Sequence, residues 1–322
     1  MIKHLKISHF KSIREMELDC KRVNVFIGEP NKGKTNILEG LGMLSENAPK
    51  RFNDIVRCEF VSDLFADNEI DKPIEIEVDN FKAFFSLTGS NMFSFQLKDL
   101  RNPSNWIWEY SINLHGDLMS DSGNSRLLSI LFYKFQNLLK YNTNQIDKLA
   151  PPFGENTPAL LFSNSKLKKI ITDFVRENGY RLTLKPAENG IMLTKEVGDE
   201  LYSYSFQLVS ETIRRIIFLM LAIESNKNST LLFDEPEAHT FPFYTHYIAE
   251  RIALDTSNQY FLTTHNSYLL HSIVEKTPID ELNVGIVYME NYETKVRILT
   301  PEQLSELSET DIFYNLELFL EA

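Results

Sequence analysis

Gly28-Glu29-Pro30-Asn31-Lys32-Gly33-Lys34-Thr35 decides the reading of this chain. It matches G-x-x-x-x-G-K-S/T and stands between a β-rich stretch, Arg22-Val23-Asn24-Val25-Phe26-Ile27, and a stretch with Ile37, Leu38, Leu41 and Leu44 at helical spacing. Ala48-Pro49 marks the expected end of that helix. Strand, Gly-rich loop and helix in this order form a phosphate cradle. The glycines let backbone N–H groups turn inward, Lys34 places a point charge on β- and γ-phosphates, and the Thr35 hydroxyl is a Mg²⁺ ligand. Gly28, Asn31, Lys32, Gly33, Lys34, Thr35 and Asn36 are therefore the candidate nucleotide contacts. An ordinary Gly-rich turn is the competing reading, and the flanking strand and helix speak against it.

Two more strand ends carry chemistry. Leu231-Leu232-Phe233-Asp234-Glu235-Pro236-Glu237 is an apolar run that ends in adjacent acids, costly to bury without partners. Asp234 can hold Mg²⁺, directly or through water, while Glu235 points toward a nucleophilic water. Gln259-Tyr260-Phe261-Leu262-Thr263-Thr264-His265 is a second apolar run, ending in a histidine one helix and one strand beyond Glu235. In a parallel sheet the C-terminal strand ends share one edge, where ligands bind, and from there His265 reaches a γ-phosphate. The bland alternatives are a strand-end turn at Asp-Glu-Pro and a satisfied surface or core histidine.

Around these motifs the chain is ordinary. Its 322 residues suffice for one large or two modest domains, and 43% hydrophobic with 24% charged residues is globular, not disordered. A net charge of −12 disfavours a generally basic nucleic-acid coat and leaves only a local basic patch for DNA. Lys3, Lys6, Lys11, Arg14, Lys21 and Arg22 make such a patch, interleaved with Glu15, Glu17 and Asp19; it is either a solvated face or a DNA contact. Two cysteines, Cys20 and Cys58, allow neither a disulfide framework nor a Cys-based zinc site and suit a reducing, cytoplasmic setting. His239 and His246 lack further ligands nearby, which argues against zinc. The longest apolar run, 216–223, is too short for a membrane span, and the N-terminus lacks the apolar core of an export signal.

The expected fold class is α/β: a mixed N-terminal β-sheet carrying the phosphate loop, a helical insertion, and a parallel-sheet C-terminal lobe. Residues 2–10 and 22–27 read as strands joined by a charged turn, and 73–116 as an antiparallel meander with turns at 89–91 and 102–104. Residues 125–141 and 165–178 read as helices separated by Pro151-Pro152-Phe153-Gly154-Glu155-Asn156, either a linker or a contact loop. Strands at 182–184, 191–194, 230–233 and 259–263 alternate with helices at 211–225 and 244–254. The expected parts of a single 1–322 unit are thus 1–118, 119–180 and 181–322, without internal repeats or coiled-coil heptads.

Taken together, Phe10-Lys11-Ser12-Ile13, the phosphate loop, Asp234-Glu235-Pro236-Glu237-Ala238-His239 and Thr263-Thr264-His265 resemble the ATP-binding-cassette-class (ABC) ATPases of the RecF/SMC-like branch. These are AAA family ATP-binding proteins related to the ATPase part of OLD-type and phage-defence ATPases, and the likeness spans nearly the whole chain. It implies a P-loop NTPase head with Walker A and Walker B elements, Glu235 as catalytic base and His265 as switch histidine. It also implies a signature segment, normally Leu-Ser-Ser-Gly or Leu-Ser-Gly-Gly, matched here by Leu208-Val209-Ser210-Glu211-Thr212-Ile213-Arg214-Arg215. Ser210 keeps the serine, and the stretch to Asp234 has room for a helix of about four turns, a loop and a strand. Glu211 stands where glycine is usual, and its charge would repel a partner's γ-phosphate unless it turns away or pairs with Arg214 or Arg215. Ser210 or Thr212 as a plain helix cap is the alternative, and both roles are compatible. No glutamine loop is assigned, since Gln96 falls in a β-rich run and Gln136 in an expected helix.

The resemblance implies an ATP-dependent homodimer or higher homo-oligomer that sandwiches ATP and Mg²⁺, with Ser210 of one copy facing the phosphates on the other. It points to DNA repair or to a phage-defence system such as Septu, Gabija or PARIS, with a separate effector protein. The chain after His265 is short, and strands at 284–289 and 294–299 finish the sheet, so no fused nuclease is expected. A transporter-type subunit predicts a clear glutamine loop and signature, and a small-molecule phosphotransferase has no need of Asp-Glu-Pro with a strand-end histidine. An ATP-sensing interaction module with little turnover is the non-enzymatic alternative, motivated by Glu211.

Overall fold

The computed structural model describes residues 1–46, 51–89, 91–102, 106–124, 128–141, 146–307 and 311–321. Three strands open the chain: β1 (His4–Phe10), β2 (Ile13–Asp19) and β3 (Val23–Ile27), followed by helix α1 (Lys34–Gly42). A meander follows, with β4 (Ile74–Val78), β5 (Phe81–Leu87), β6 (Met92–Asp99), β7 (Trp106–Asn113) and β8 (Leu118–Gly123), and then β9 (Ile130–Tyr133). Next come α2 (Thr157–Ser163), α3 (Ser165–Glu177), β10 (Arg181–Lys185), β11 (Gly190–Val197), β12 (Glu200–Ser205) and α4 (Glu211–Glu224). The remainder is β13 (Thr230–Asp234), α5 (Pro242–Leu254), β14 (Gln259–Thr263), α6 (Ser267–Lys276), β15 (Leu282–Glu290), β16 (Glu293–Ile298), α7 (Pro301–Glu306) and α8 (Leu316–Glu321). No helix among the described residues is long and apolar enough to cross a membrane.

The chain forms two compact units. The first comprises Met1–Phe132, Asn228–Pro236 and Ala253–Ala322. It holds a seven-stranded sheet, β2-β1-β4-β5-β6-β7-β8, in which every pairing is antiparallel. Its second sheet has the order β16-β15-β3-β14-β13-β9, with β15, β3, β14 and β13 parallel and β16 antiparallel to β15. Five wholly buried residues, Val-Asn-Val-Phe-Ile, make β3 a central strand, as the continuous apolar runs of parallel sheets require. Both sheets and α1 share one core, in which Ile37, Leu38 and Leu41 of α1 meet Phe10, Phe85 and Phe95 as well as Leu232 and Phe261. Gly40 lets α1 approach β1, since a Cβ there would stand 3.0 Å from Ile7 Cδ1.

The second unit, Tyr133–Lys227 with Glu237–Ile252, is built on α2, α3, α4 and the small antiparallel sheet β10-β11-β12. Leu167, Ile171, Phe174 and Val175 give α3 its buried stripe, and Phe174 packs on Tyr244 and Tyr247 of α5. The α/β head with an N-terminal sheet, a helical insertion and a parallel-sheet C-terminal lobe is therefore the observed architecture.

Four local expectations change. The charged turn before β3 contains a strand of its own, β2, whose Ile13, Met16 and Leu18 face the core. Strand β3 leaves that antiparallel neighbourhood and pairs with β14 and β15. The helix expected over 125–141 does not form within the described part: Ile130-Leu131-Phe132-Tyr133 is a buried strand, and irregular chain runs on to 141, so Gln136 is not helical. A short apolar run cannot be told from a buried helix turn by periodicity, and a sheet edge beside β13 claims this one. The Pro-rich stretch is no loose linker, because buried Asn156 accepts from Ala150 N–H at 2.7 Å and donates to Lys148 O at 2.7 Å. Residues 125–127, Ala48-Pro49, and Ser90, Pro103 and Ser104 of the expected turns lie outside the described residues.

Candidate functional site

The parallel sheet delivers the ends of β3, β13 and β14 to one edge, all within the first unit. The loop after β3 needs its glycines. Gly28 has φ 143°, and a Cβ there would lie 2.2 Å from Val287 O of β15; Gly33 has φ 96° and would place a Cβ 2.1 Å from Thr294 Oγ1 of β16. Asn31 takes the remaining left-handed position at φ 62° and is exposed. Lys34 starts α1, buried, and its ammonium folds back to donate to Gly28 O at 2.9 Å and Glu29 O at 2.7 Å. Desolvation lowers its pKa from the ordinary lysine value against the opposing pull of Glu235, Asp234 and Glu29. Lys32 pairs with Glu29 at 3.1 Å, and Asn36 donates to Ser12 Oγ at 2.8 Å.

Across from the loop, the Thr35 hydroxyl donates to Asp234 Oδ1 at 3.0 Å. Glu235, the residue after β13, has φ 47° and brings its carboxylate 3.3 Å from His265 Nε2. Burial lowers the pKa of His265 from 6.5, Lys34 reinforces the shift, and Glu235 and Asp234 oppose it. Lys34, Thr35, Asp234, Glu235 and His265 thus converge although they come from three separate stretches of sequence. A hydroxyl and a carboxylate oxygen side by side fit Mg²⁺, which uses one or two protein oxygens and takes its other ligands from phosphate and water.

Two further threonines of this edge hold the others in place. Thr263, at the end of β14 and wholly buried, donates to Asp234 Oδ1 at 2.6 Å and accepts from Glu235 N–H at 3.1 Å. In the sequence it shows only as the first residue of Thr263-Thr264-His265, after the apolar Tyr260-Phe261-Leu262, with no sign of these two bonds. Thr294 of β16 donates to Lys32 O at 3.0 Å and lies 2.7 Å from Ser12 Oγ, bracing the loop from a hairpin that nothing in the loop's own residues foretells.

The signature-like segment belongs to the second unit. Ser210 is exposed and caps α4, its hydroxyl accepting from Ile213 N–H at 3.4 Å. Glu211 pairs with Arg215 at 3.2 Å, and that hydrogen bond chiefly lowers its pKa from the ordinary carboxylate value. Arg215 in turn stacks 4.6 Å over the Phe135 ring. Gln96, the one glutamine in the meander weighed above, is tied to Glu109 at 2.8 Å.

A family model described as "AAA domain, putative AbiEii toxin, Type IV TA system" matches residues 50–271, a span that includes β13, β14 and His265. No curated protein matches the chain. Among solved structures, the Smc head bound to the C-winged helix domain of ScpA is similar at 15% identity and a TM-score of 0.57, covering 95% of this chain and 99% of that one. The Smc head domain with an extended coiled coil bound to the C-terminal domain of ScpA, derived from Pyrococcus furiosus, is similar at 13% identity and a TM-score of 0.54, covering 96% and 98%. At such identities the likeness is one of fold, and that fold is an Smc-head-like α/β head.

Proposed function

The chain belongs to the AAA-domain family whose model spans residues 50–271, and on that footing we propose that it is an ATP-binding and ATP-hydrolysing switch. The observation that carries this reading is the convergence of a lysine, a hydroxyl, two acids and a histidine at one sheet edge, with Thr35 3.0 Å from Asp234 and Glu235 3.3 Å from His265. Backbone N–H groups of 28–35 and the Lys34 ammonium hold the phosphates, once Lys34 exchanges its loop carbonyls for phosphate oxygens. Thr35 and Asp234 hold Mg²⁺, which when bound neutralises phosphate charge. Glu235 orients and deprotonates the attacking water, and neutral His265, which has one N–H to give, donates it to that carboxylate in the empty site and toward the γ-phosphate once ATP is bound.

The whole chain acts as a single ABC-type head, and two copies close on two ATP molecules with Ser210 of each facing the phosphates on the other. Hydrolysis reopens the pair and so switches a separate effector in phage defence or DNA repair, in the cytoplasm. One observation favours a second reading, an ATP sensor with little turnover: Glu211 leaves a carboxylate beside Ser210, although Arg215 turns and partly neutralises it.

The test is ATP hydrolysis against protein concentration, with light scattering on the same samples. Turnover per chain should rise with concentration, and Glu235→Gln should lose roughly 10²–10⁴-fold in rate while remaining a closed, ATP-bound pair. Turnover independent of concentration sinks the paired switch, and ATP binding without turnover in the unaltered protein selects the sensor.

A further inference from the structure

Asp234 and Thr263 stand directly opposite each other at the ends of β13 and β14. Thr263 uses one hydroxyl twice, giving its proton to Asp234 Oδ1 at 2.6 Å and taking the Glu235 backbone N–H at 3.1 Å. Because the side chain is wholly buried, water does not compete for either bond. The second bond matters because Glu235 has a left-handed φ of 47°, a conformation that costs a non-glycine residue energy and persists only where its surroundings hold it. That backbone turn is what brings the Glu235 carboxylate to His265. Asp234 Oδ1 has a second donor, Thr35, but Thr35 is the group read above as a metal ligand, so Thr263 is the donor free to stay with Asp234.

From this geometry we infer that Thr263 is a positioning residue, whose hydroxyl sets the side chain of Asp234 and the backbone of Glu235 in register. The inference rests on the roles read for those two acids above. Packing alone does not call for a hydroxyl here: valine has the same shape and an equal liking for strands, and the three β14 residues before it, Tyr260, Phe261 and Leu262, form an apolar run. The hydroxyl therefore answers to its two partners, one of them charged, where a hydrogen bond is worth most.

Thr263→Val and Thr263→Ser test it, beside the unaltered protein and Glu235→Gln. Steady-state hydrolysis gives kcat and KM; calorimetry gives ATP affinity with and without Mg²⁺, in a Glu235→Gln background so that nothing turns over; thermal melting reports the fold. For Thr263→Val, kcat should fall roughly 10- to 100-fold with KM within about threefold, and Mg²⁺ should improve ATP affinity several-fold less than it does with threonine present. Thr263→Ser, which keeps the hydroxyl, should stay within about threefold of the unaltered protein in every readout. A Thr263→Val protein with unaltered kcat and Mg²⁺ response overturns the inference, as does a serine variant as impaired as the valine one, which would mean packing. If Thr263→Val does not fold, Thr263→Cys retains the volume with a weak donor; a loss of kcat and Mg²⁺ response supports the inference, and unaltered values overturn it. When Glu235→Gln abolishes turnover and Thr263→Val does not, this inference alone fails; when Glu235→Gln turns over normally, the reading beneath it fails too.

Discussion

The phosphate-loop edge and the signature-like segment differ in where their partners come from. At the edge, although Lys34 rests on its own loop, the other key groups are held by residues far away in sequence: Thr35 by Asp234, Asp234 by Thr263, Lys32 O by Thr294, and Gly28 against Val287. In the segment the principal partners are local, Ser210 capping its own helix through Ile213 and Glu211 meeting Arg215 one turn on. An arrangement that five strands must agree upon is costly to assemble and has no use in packing alone, so it asks for a ligand. An arrangement of near neighbours is already explained by helix termini. The nucleotide reading is accordingly strong at the edge, whereas the trans role of Ser210 needs its own test.

The largest expected effect is at Lys34. Replacing it with methionine retains bulk and helix propensity but removes the ammonium that sits over the loop carbonyls. ATP affinity, measured by calorimetry on dilute protein, should fall about 100-fold or more, the scale of losing a charge-assisted phosphate contact in a buried setting. Because desolvation already depresses the Lys34 pKa, the fold itself gains from the loss of that charge, and the melting temperature should hold or rise. Ser210→Ala should leave ATP affinity on dilute protein unchanged. A Lys34→Met protein that binds ATP normally would erase the contrast between the two regions.

Ser210 gives the intermediate effect. Its cap contributes about 1 kcal/mol, which urea unfolding of Ser210→Ala should show as lost. Ser210→Asp restores a capping oxygen and hence the stability. If the serine also faces a partner's phosphate, neither variant recovers the rise of turnover with protein concentration, because alanine has no donor and aspartate repels. Recovery of turnover by aspartate together with stability would reduce Ser210 to a cap.

How much of this was legible beforehand follows the same division. The loop, β13 and β14 could be read from residue types alone, since an apolar run ending in Gly-rich or acidic residues fixes both the strand and its business end. The α/β class followed from strand and helix alternation, and α3 from its stripe at 167, 171, 174 and 175. Strand β9 was not legible, because four buried apolar residues suit a helix turn and a strand alike until β13 is there to pair with. Thr294 was hidden for a related reason, and Thr263, though it stands in one motif with Thr264 and His265, gave no sign of what it holds. Their roles come from register, Thr263 opposite Asp234 and Thr294 beside Lys32, and register is a property of the assembled sheet rather than of any one stretch. Glu211 was legible as a departure, and its pairing with Arg215 follows the ordinary spacing of helical neighbours.

The smallest expected effect is the most discriminating about charge. In nucleotide-free protein, proton resonances of His265 should titrate below the ordinary 6.5, because burial disfavours imidazolium and Lys34 repels it. Removing either neighbour moves the midpoint in opposite directions: Lys34→Met raises it, and Glu235→Gln, which deletes an attraction, lowers it further. Ser210→Ala changes no charge and leaves it in place. The linked stability has a definite sign. With the folded pKa below the unfolded one, the unfolded chain binds the proton first as pH falls, so His265's contribution is complete above about pH 6.5 and lost as pH drops through the lowered value. Stability measured across that window should therefore decline more steeply in the unaltered protein than in Lys34→Met, whose His265 lies nearer its unfolded value. Equal slopes would mean that Lys34 and His265 do not feel each other, and the edge would then be no more of a unit than the segment it is contrasted with.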